Sequence, residues 1–76
     1  MKPKPKDKPK KKYVIIFKDK EEMTVFAHWV YAHSGDLIIF YLGEWEKGLF
    51  KYHWHSSSKH ILTINRDEVR YIRREV

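Results

Sequence analysis

The sequence contains no cysteine among its 76 residues. Disulfides, thiolate nucleophiles and cysteine-based zinc sites are therefore excluded together, and the chain fits a reducing compartment. Long apolar segments are also missing, because the longest uninterrupted apolar run, residues 37–42, falls far short of the roughly twenty residues that cross a bilayer. The start of the chain has neither the apolar stretch of a secretory signal nor a second-position glycine for myristoylation. These absences predict a soluble, cytoplasmic protein without a membrane span.

Glycine is scarce as well, and its spacing excludes a phosphate-binding loop. The chain has only Gly35, Gly43 and Gly48, which lie too far apart to cradle a phosphate. What the chain does contain is 42% hydrophobic, 16% aromatic and 34% charged residues, a globular rather than a disordered composition. A chain of this length buries only roughly 60% of its unfolded surface, so we expect one small domain and exclude a two-domain enzyme.

The net charge of +6 comes entirely from the first twelve residues. Residues 1–12 hold seven lysines and Asp7, whereas residues 13–76 hold nine basic and nine acidic side chains. All three prolines lie in the same twelve residues, which offer almost no apolar surface to bury. We therefore predict that residues 1–12, the lysine arm, are disordered with a bias toward extended polyproline conformations. Residues 13–76 are predicted to form a small β-domain.

The lysine arm is the first candidate functional segment. Twelve extended residues at about 3.1 Å each reach roughly 35 Å, which is close to one turn of B-DNA. Lysine is a point charge that lacks the fork with which arginine reads guanine, so the arm is predicted to contact phosphates rather than base sequence. Solubilisation and attraction to an anionic membrane surface are the alternatives. The predicted nucleic-acid contacts are Lys2, Lys4, Lys6, Lys8, Lys10, Lys11 and Lys12.

Runs rich in valine, isoleucine and aromatic residues alternate with charged or glycine-containing clusters after residue 12, which is the pattern of strands and turns. Residues 23–32 have apolar side chains on both faces, so we expect this long strand to bend and serve two parts of a barrel. Phe50, Tyr52 and Trp54 share one face of their strand, which is predicted to be the core face. Strands are predicted at 13–17, 23–32, 37–42, 49–55 and 61–64. The connections are a hairpin turn at 33–36, in which Gly35 is free to take a positive φ, a longer turn at 43–48 and a polar loop at 56–59.

The C-terminal segment fits two structures. Asn65 and Glu68 have the spacing of a helix capping box, and Val69, Ile72 and Val76 would share one face of that helix. Alternatively, a 3₁₀ turn precedes a closing strand at 69–73, whose β-branched and aromatic content favours extension. With the strand, which we favour, the protein is all-β, a five- to six-stranded antiparallel meander. This layout resembles SH3-like small barrels in architecture only, since such folds host many unrelated functions.

His53 and His55 form the strongest pattern for metal binding, because two histidines two residues apart on a strand point the same way. Two ligands do not make a site, so no metal or other cofactor is predicted. The serines at 56–58 have the composition of a flexible loop rather than of a catalytic elbow, and we predict no enzymatic activity.

Exposed aromatic and polar side chains supply a second candidate surface. Trp45 lies between two glutamates in a predicted turn, where it either folds over the core or stands out as an anchor. The predicted partner-binding residues are Trp45, Lys51, His53, His55 and Tyr41.

Two functional hypotheses follow. The first is a non-enzymatic β-module that associates with nucleic acid, or with a nucleic-acid-bound complex, through the lysine arm and an aromatic sheet surface. The second is a small protein-interaction module, such as an inhibitor or regulator, that docks on a larger protein through a strand edge and exposed aromatics. The neutral charge of residues 13–76 favours the second, and a symmetric homodimer is a related alternative. The lysine arm favours the first, which we adopt.

Overall fold

The computed structural model describes residues 3–32 and 35–75. Over these residues its regular structure is β-strand and one short 3₁₀ turn, so the predicted all-β fold class and the 3₁₀ turn near the C-terminus are confirmed. Within the same ranges, no helix is long and apolar enough to cross a membrane. The strands are β1 (Lys11–Phe17), β2 (Glu22–Ala27), β3 (Trp29–Ala32), β4 (Leu37–Lys47), β5 (Tyr52–Asn65) and β6 (Val69–Glu75), and the 3₁₀ turn is Arg66–Glu68.

The described strands form two antiparallel sheets of three strands each, ordered β2-β1-β6 and β3-β4-β5. β2 and β3 are separated only by His28, where the chain leaves the first sheet and enters the second. The predicted bend within residues 23–32 is therefore confirmed, but these two sheets are not closed into a barrel. The hairpin turn predicted at 33–36 lies partly outside the described residues.

The β4–β5 hairpin is longer than the sequence predicts. β4 runs on through most of the predicted turn at 43–48, and the predicted loop at 56–59 lies inside β5. Gly43 stays in the strand because the indole of Trp54 packs over it. Shifts in register near the serines absorb the unequal lengths of the two strands. Packing across the sheet thus overrides the local turn preference of glycine and serine.

The hydrophobic core draws residues from both sheets. β1 contributes the buried run Tyr13–Ile16, and β4 contributes Ile38 and Phe40. The rings of Tyr13 and Phe40 meet edge to face, with centroids 5.5 Å apart. The predicted core position of Phe50 is wrong, since its side chain is 91% exposed in the turn that precedes β5. The core is therefore centred on β1 and the first half of β4, away from the far end of the β4–β5 hairpin.

The first strand, β1, pairs with the last strand, β6. β1 begins at Lys11, two residues before the predicted start of the β-domain. Lys12 forms an ion pair with Glu75 of β6, with 3.2 Å between Nζ and Oε2. Hydrogen bonds from Lys12 and Arg73 hold the pKa of the Glu75 carboxyl below its usual range. Among the described residues of the lysine arm, residues 3–10 lie outside the sheets.

Candidate functional site

An aromatic surface occupies one side of the β4–β5 hairpin at the end remote from the core. Strand register places Trp45 opposite Trp54 and Lys47 opposite Tyr52. Directly opposed side chains of an antiparallel pair share a face of the sheet, so these four residues form one surface, which we call the tryptophan face. The two indoles meet edge to face with centroids 5.3 Å apart, an arrangement that aromatic quadrupoles favour.

His28 packs against the tryptophan face from the bend between β2 and β3. Its side chain is 8% exposed, and its ring lies edge-on to that of Trp54, with centroids 4.8 Å apart. The backbone N–H of Gly43 donates to Nδ1 of His28 at 2.8 Å. Nε2 lies 2.7 Å from the carbonyl oxygen of Lys8, which can only accept, so Nε2 carries the proton. These two partners define a neutral imidazole with a fixed tautomer.

Residues 3–10 of the lysine arm cross the tryptophan face and form neither helix nor strand. Nε1–H of Trp45 donates to the carbonyl oxygen of Lys6 at 3.0 Å, and His28 donates to that of Lys8. The Nζ atom of Lys8 lies 5.9 Å from the ring centroid of Trp45 and 5.6 Å from that of Trp54, within cation–π range. The disorder predicted for the arm stays a prediction, but the structure gives its backbone a defined anchor at residues 6–8.

The lysines of residues 3–10 are solvent-exposed, although the backbone of this segment is anchored at Lys6 and Lys8. All of residues 3–10 are exposed. Lysine occupies every second position from Lys4 to Lys10, and Asp7 is the single acid among them. The arrangement therefore presents a row of ammonium groups beside an aromatic surface.

The predicted site residues divide into two groups. Trp45 is on the tryptophan face, and Lys51 lies in the turn between β4 and β5. His53 and His55 alternate with Tyr52 and Trp54 and so lie on the opposite side of β5.

The opposite side of the hairpin carries its own polar contacts. Nε2 of His55 lies 2.7 Å from Oε2 of Glu46, within hydrogen-bonding distance. Tyr41 lies apart from these residues, nearer the start of β4 and paired with His60, with ring centroids 6.0 Å apart. Within residues 3–32 and 35–75, no group of three or more histidine or acidic side chains is placed to hold a metal. The predicted partner surface is thus not a single patch, and of its members Trp45 lies against the arm.

Of the predicted arm contacts, Lys4, Lys6, Lys8 and Lys10 lie in the exposed segment that approaches the tryptophan face. Lys11 and Lys12 belong to β1, and Lys2 is outside the described residues. The lysines available beside the aromatic surface are therefore those of the alternating segment.

Sequence reasoning missed His28 and Trp54. Alternation with Tyr52 predicts Trp54 as a core residue, and His28 is not among the predicted site residues. A histidine flanked by Ala27 and Trp29 inside an apolar strand was an available signal for a buried polar contact. The packing of Trp54 over Gly43 has no such signal, because Gly43 lies at a register shift and the contact depends on the three-dimensional fold.

Replacing His28 with phenylalanine is expected to lower the free energy of unfolding by about 1–3 kcal/mol, because the Gly43 N–H loses its acceptor. The arm also loses the donor to Lys8. Urea denaturation measures the first effect, and backbone NMR shifts of residues 6–8 measure the second. His55→Phe is the matched control, since the contact of this exposed side chain with Glu46 contributes only about 0–1 kcal/mol. Equal losses in both variants would contradict a structural role for the buried imidazole.

This surface combines aromatic rings, donors to backbone carbonyls and a row of cations. It holds one neutral histidine whose ring nitrogens are both engaged by the backbone, at Lys8 and Gly43. No protein-family model, curated protein or solved structure significantly matches the chain.

Proposed function

We propose that the chain is a non-enzymatic β-module that binds nucleic acid through the lysine arm and the adjoining tryptophan face. The observation that carries the proposal is the anchoring of the arm by the Lys6 and Lys8 carbonyls, which leaves its ammonium groups exposed beside aromatic rings. Proteins that bind single strands combine the same two elements, a cationic track for the backbone and aromatic side chains for the bases.

Anchoring helps binding by reducing the freedom that the arm loses when it meets phosphates. A freely moving arm loses conformational entropy on binding, whereas a backbone already held at two positions loses less. Because residues 13–76 have no net charge, the electrostatic attraction to phosphates comes from the arm. Binding is therefore expected to depend steeply on salt, since each neutralised phosphate releases counterions.

We also propose that the arrangement of the strands resembles a known class of small barrel. We infer an SH3-like layout, supported by the bent β2–β3 segment and by the 3₁₀ turn before the last strand. A cytoplasmic site of action is proposed from the absence of cysteine. Neither inference identifies a target, because the function depends on the site and not on the fold.

Salt titration of duplex DNA binding tests the proposal. If all seven lysines neutralise phosphates, the slope of log K against log salt is about −6. Replacing Lys4, Lys6 and Lys10 together with glutamine is expected to reduce its magnitude by about 3, and fluorescence anisotropy at several salt concentrations measures it. Lys18, Lys20 and Lys59, all exposed in the β-domain, form the matched control triple. A salt-independent complex, or no binding to any nucleic acid at low salt, would rule the proposal out.

The protein-interaction hypothesis is the second candidate, and the donors of the tryptophan face favour it. Trp45 and His28 bind backbone carbonyls of an extended segment, as a peptide-binding surface does. In that case the glutamine triple leaves partner binding intact and Trp45→Ala weakens it. A pull-down from host extract with and without nuclease separates the two candidates, because nuclease releases only a partner held through nucleic acid.

A further inference from the structure

A cavity lies between the lysine arm and the far end of the β4–β5 hairpin. Its volume is about 910 Å³, within the range of small-ligand sites. Pro3 and Pro5 of the arm line one part of it, and Trp45 and Tyr52 of the tryptophan face line another. The cavity begins where the anchored segment of the arm ends, so the contacts at Lys6 and Lys8 leave it open.

The turn between β4 and β5 supplies an exposed aromatic ring to this cavity. Phe50 lines it and is 91% exposed, and the adjacent Leu49 is 84% exposed. Large apolar side chains left in water beside a cavity are typical of a binding surface rather than of a finished core. An apolar ligand that covers the Phe50 ring would remove this surface from water.

The charged residues that line the cavity are both basic. Lys47 at the end of β4 and Lys51 in the turn are lining residues, and no carboxylate is among the described residues that line it. Lys4 lies between the two lining prolines in sequence and adds a further cation nearby. The complementary ligand has a flat apolar part and negative charge at its periphery.

We propose that this cavity binds one unpaired nucleobase of a single-stranded nucleic acid. The base stacks on Phe50 and Tyr52, and the neighbouring phosphates contact Lys47 and Lys51. This inference rests on the proposed function and adds that single strands are preferred over duplexes. A base within a duplex is already stacked and paired, so its faces are not available to the cavity without a cost of unpairing.

The test measures the affinity of the full chain and of its Phe50→Ala variant for a twelve-nucleotide oligothymidine and for a duplex of the same length. Stacking one base on an aromatic ring is equivalent to about 5- to 150-fold in affinity. Phe50→Ala is therefore expected to weaken oligothymidine binding at least 5-fold and to leave duplex binding unchanged. Because Phe50 is exposed in a turn, the variant is expected to fold, which circular dichroism checks. Phe26→Ala, an exposed phenylalanine on β2, is the control and should change neither affinity.

A second variant tests the phosphate contacts. The double variant Lys47→Gln, Lys51→Gln is expected to reduce the magnitude of the slope of log K against log salt for the single strand by about 1.4. If Phe50→Ala changes both affinities equally or neither, the base site is wrong while arm-dependent nucleic-acid binding stands. If neither oligonucleotide binds at low salt, the proposed function fails and this inference fails with it.

Discussion

Replacing Phe40 with alanine is expected to lower the free energy of unfolding by about 3–5 kcal/mol. The side chain is fully buried, and it packs against Tyr13 of the other sheet. Its removal leaves a cavity where residues of the two sheets meet, and neighbours held in strands relax only partly into such a space. A domain this small has a stability near the lower end of the usual 5–15 kcal/mol. The variant is therefore expected to be substantially unfolded at 25 °C.

Urea denaturation followed by circular dichroism measures this loss. Phe50→Ala is the matched control, because the same atoms are removed from a side chain that is 91% exposed. Its stability is expected to stay within about 0.5 kcal/mol of the parent chain. If Phe40→Ala is as stable as Phe50→Ala, the two sheets do not share the core described above.

Replacing Gly43 with alanine is expected to dismantle the tryptophan face. An added Cβ would lie 2.4 Å from Cζ2 of Trp54 and 2.9 Å from the backbone oxygen of His55. The backbone oxygen is held in the strand, so the Trp54 indole has to move. Its movement breaks the contacts with Trp45 and His28, and overpacking of this kind costs about 1–3 kcal/mol. Trp45 and His28 are the two side chains that donate hydrogen bonds to the arm. Because both lose their contact with Trp54, the arm is expected to leave the surface.

Tryptophan fluorescence and the indole N–H signals in NMR report this change, and urea denaturation gives its free energy. Gly35→Ala is the matched control, since a Cβ there meets nothing within 4 Å and no described glycine has a positive φ. It is expected to be neutral or to stabilise by about 0.4–1 kcal/mol. An unchanged tryptophan environment in Gly43→Ala would contradict the close packing of the hairpin.

Local patterns were sufficient to predict the strand content of the fold. The β-branched and aromatic runs identified β1 and β6, and the two-sided apolar pattern at 23–32 predicted a bend. The lengths of β4 and β5 were not predictable in this way. Gly43 and the serines at 56–58 give turn signals locally, yet cross-strand packing on Trp54 keeps the glycine in a strand, and irregular register accommodates the serines.

The candidate site was only partly predictable because its contacts are distant in sequence. Charge identified the arm, and a tryptophan between two glutamates identified Trp45. Two hydrogen bonds join the arm to the β-domain. One links Lys6 to Trp45, 39 residues apart in sequence, and the other links Lys8 to His28, 20 residues apart. Composition and periodicity carry no information on such pairs. The sequence analysis predicts one surface for Trp45, His53 and His55. Strand alternation instead places the two histidines on the side of the hairpin opposite Trp45.

The outer edge of β5 bears on how the protein resists aggregation. β5 ends the order β3-β4-β5, so among the described strands it has a neighbour on one side only. A flat edge of 14 residues would offer another molecule a long template for strand addition. The register shift opposite Leu42 and Glu44 interrupts that template near its middle, since irregular pairing twists a strand and breaks the even spacing of its free amide groups. The serine-rich stretch that looked like a loop in the sequence thus divides the edge and opposes fibril-like stacking.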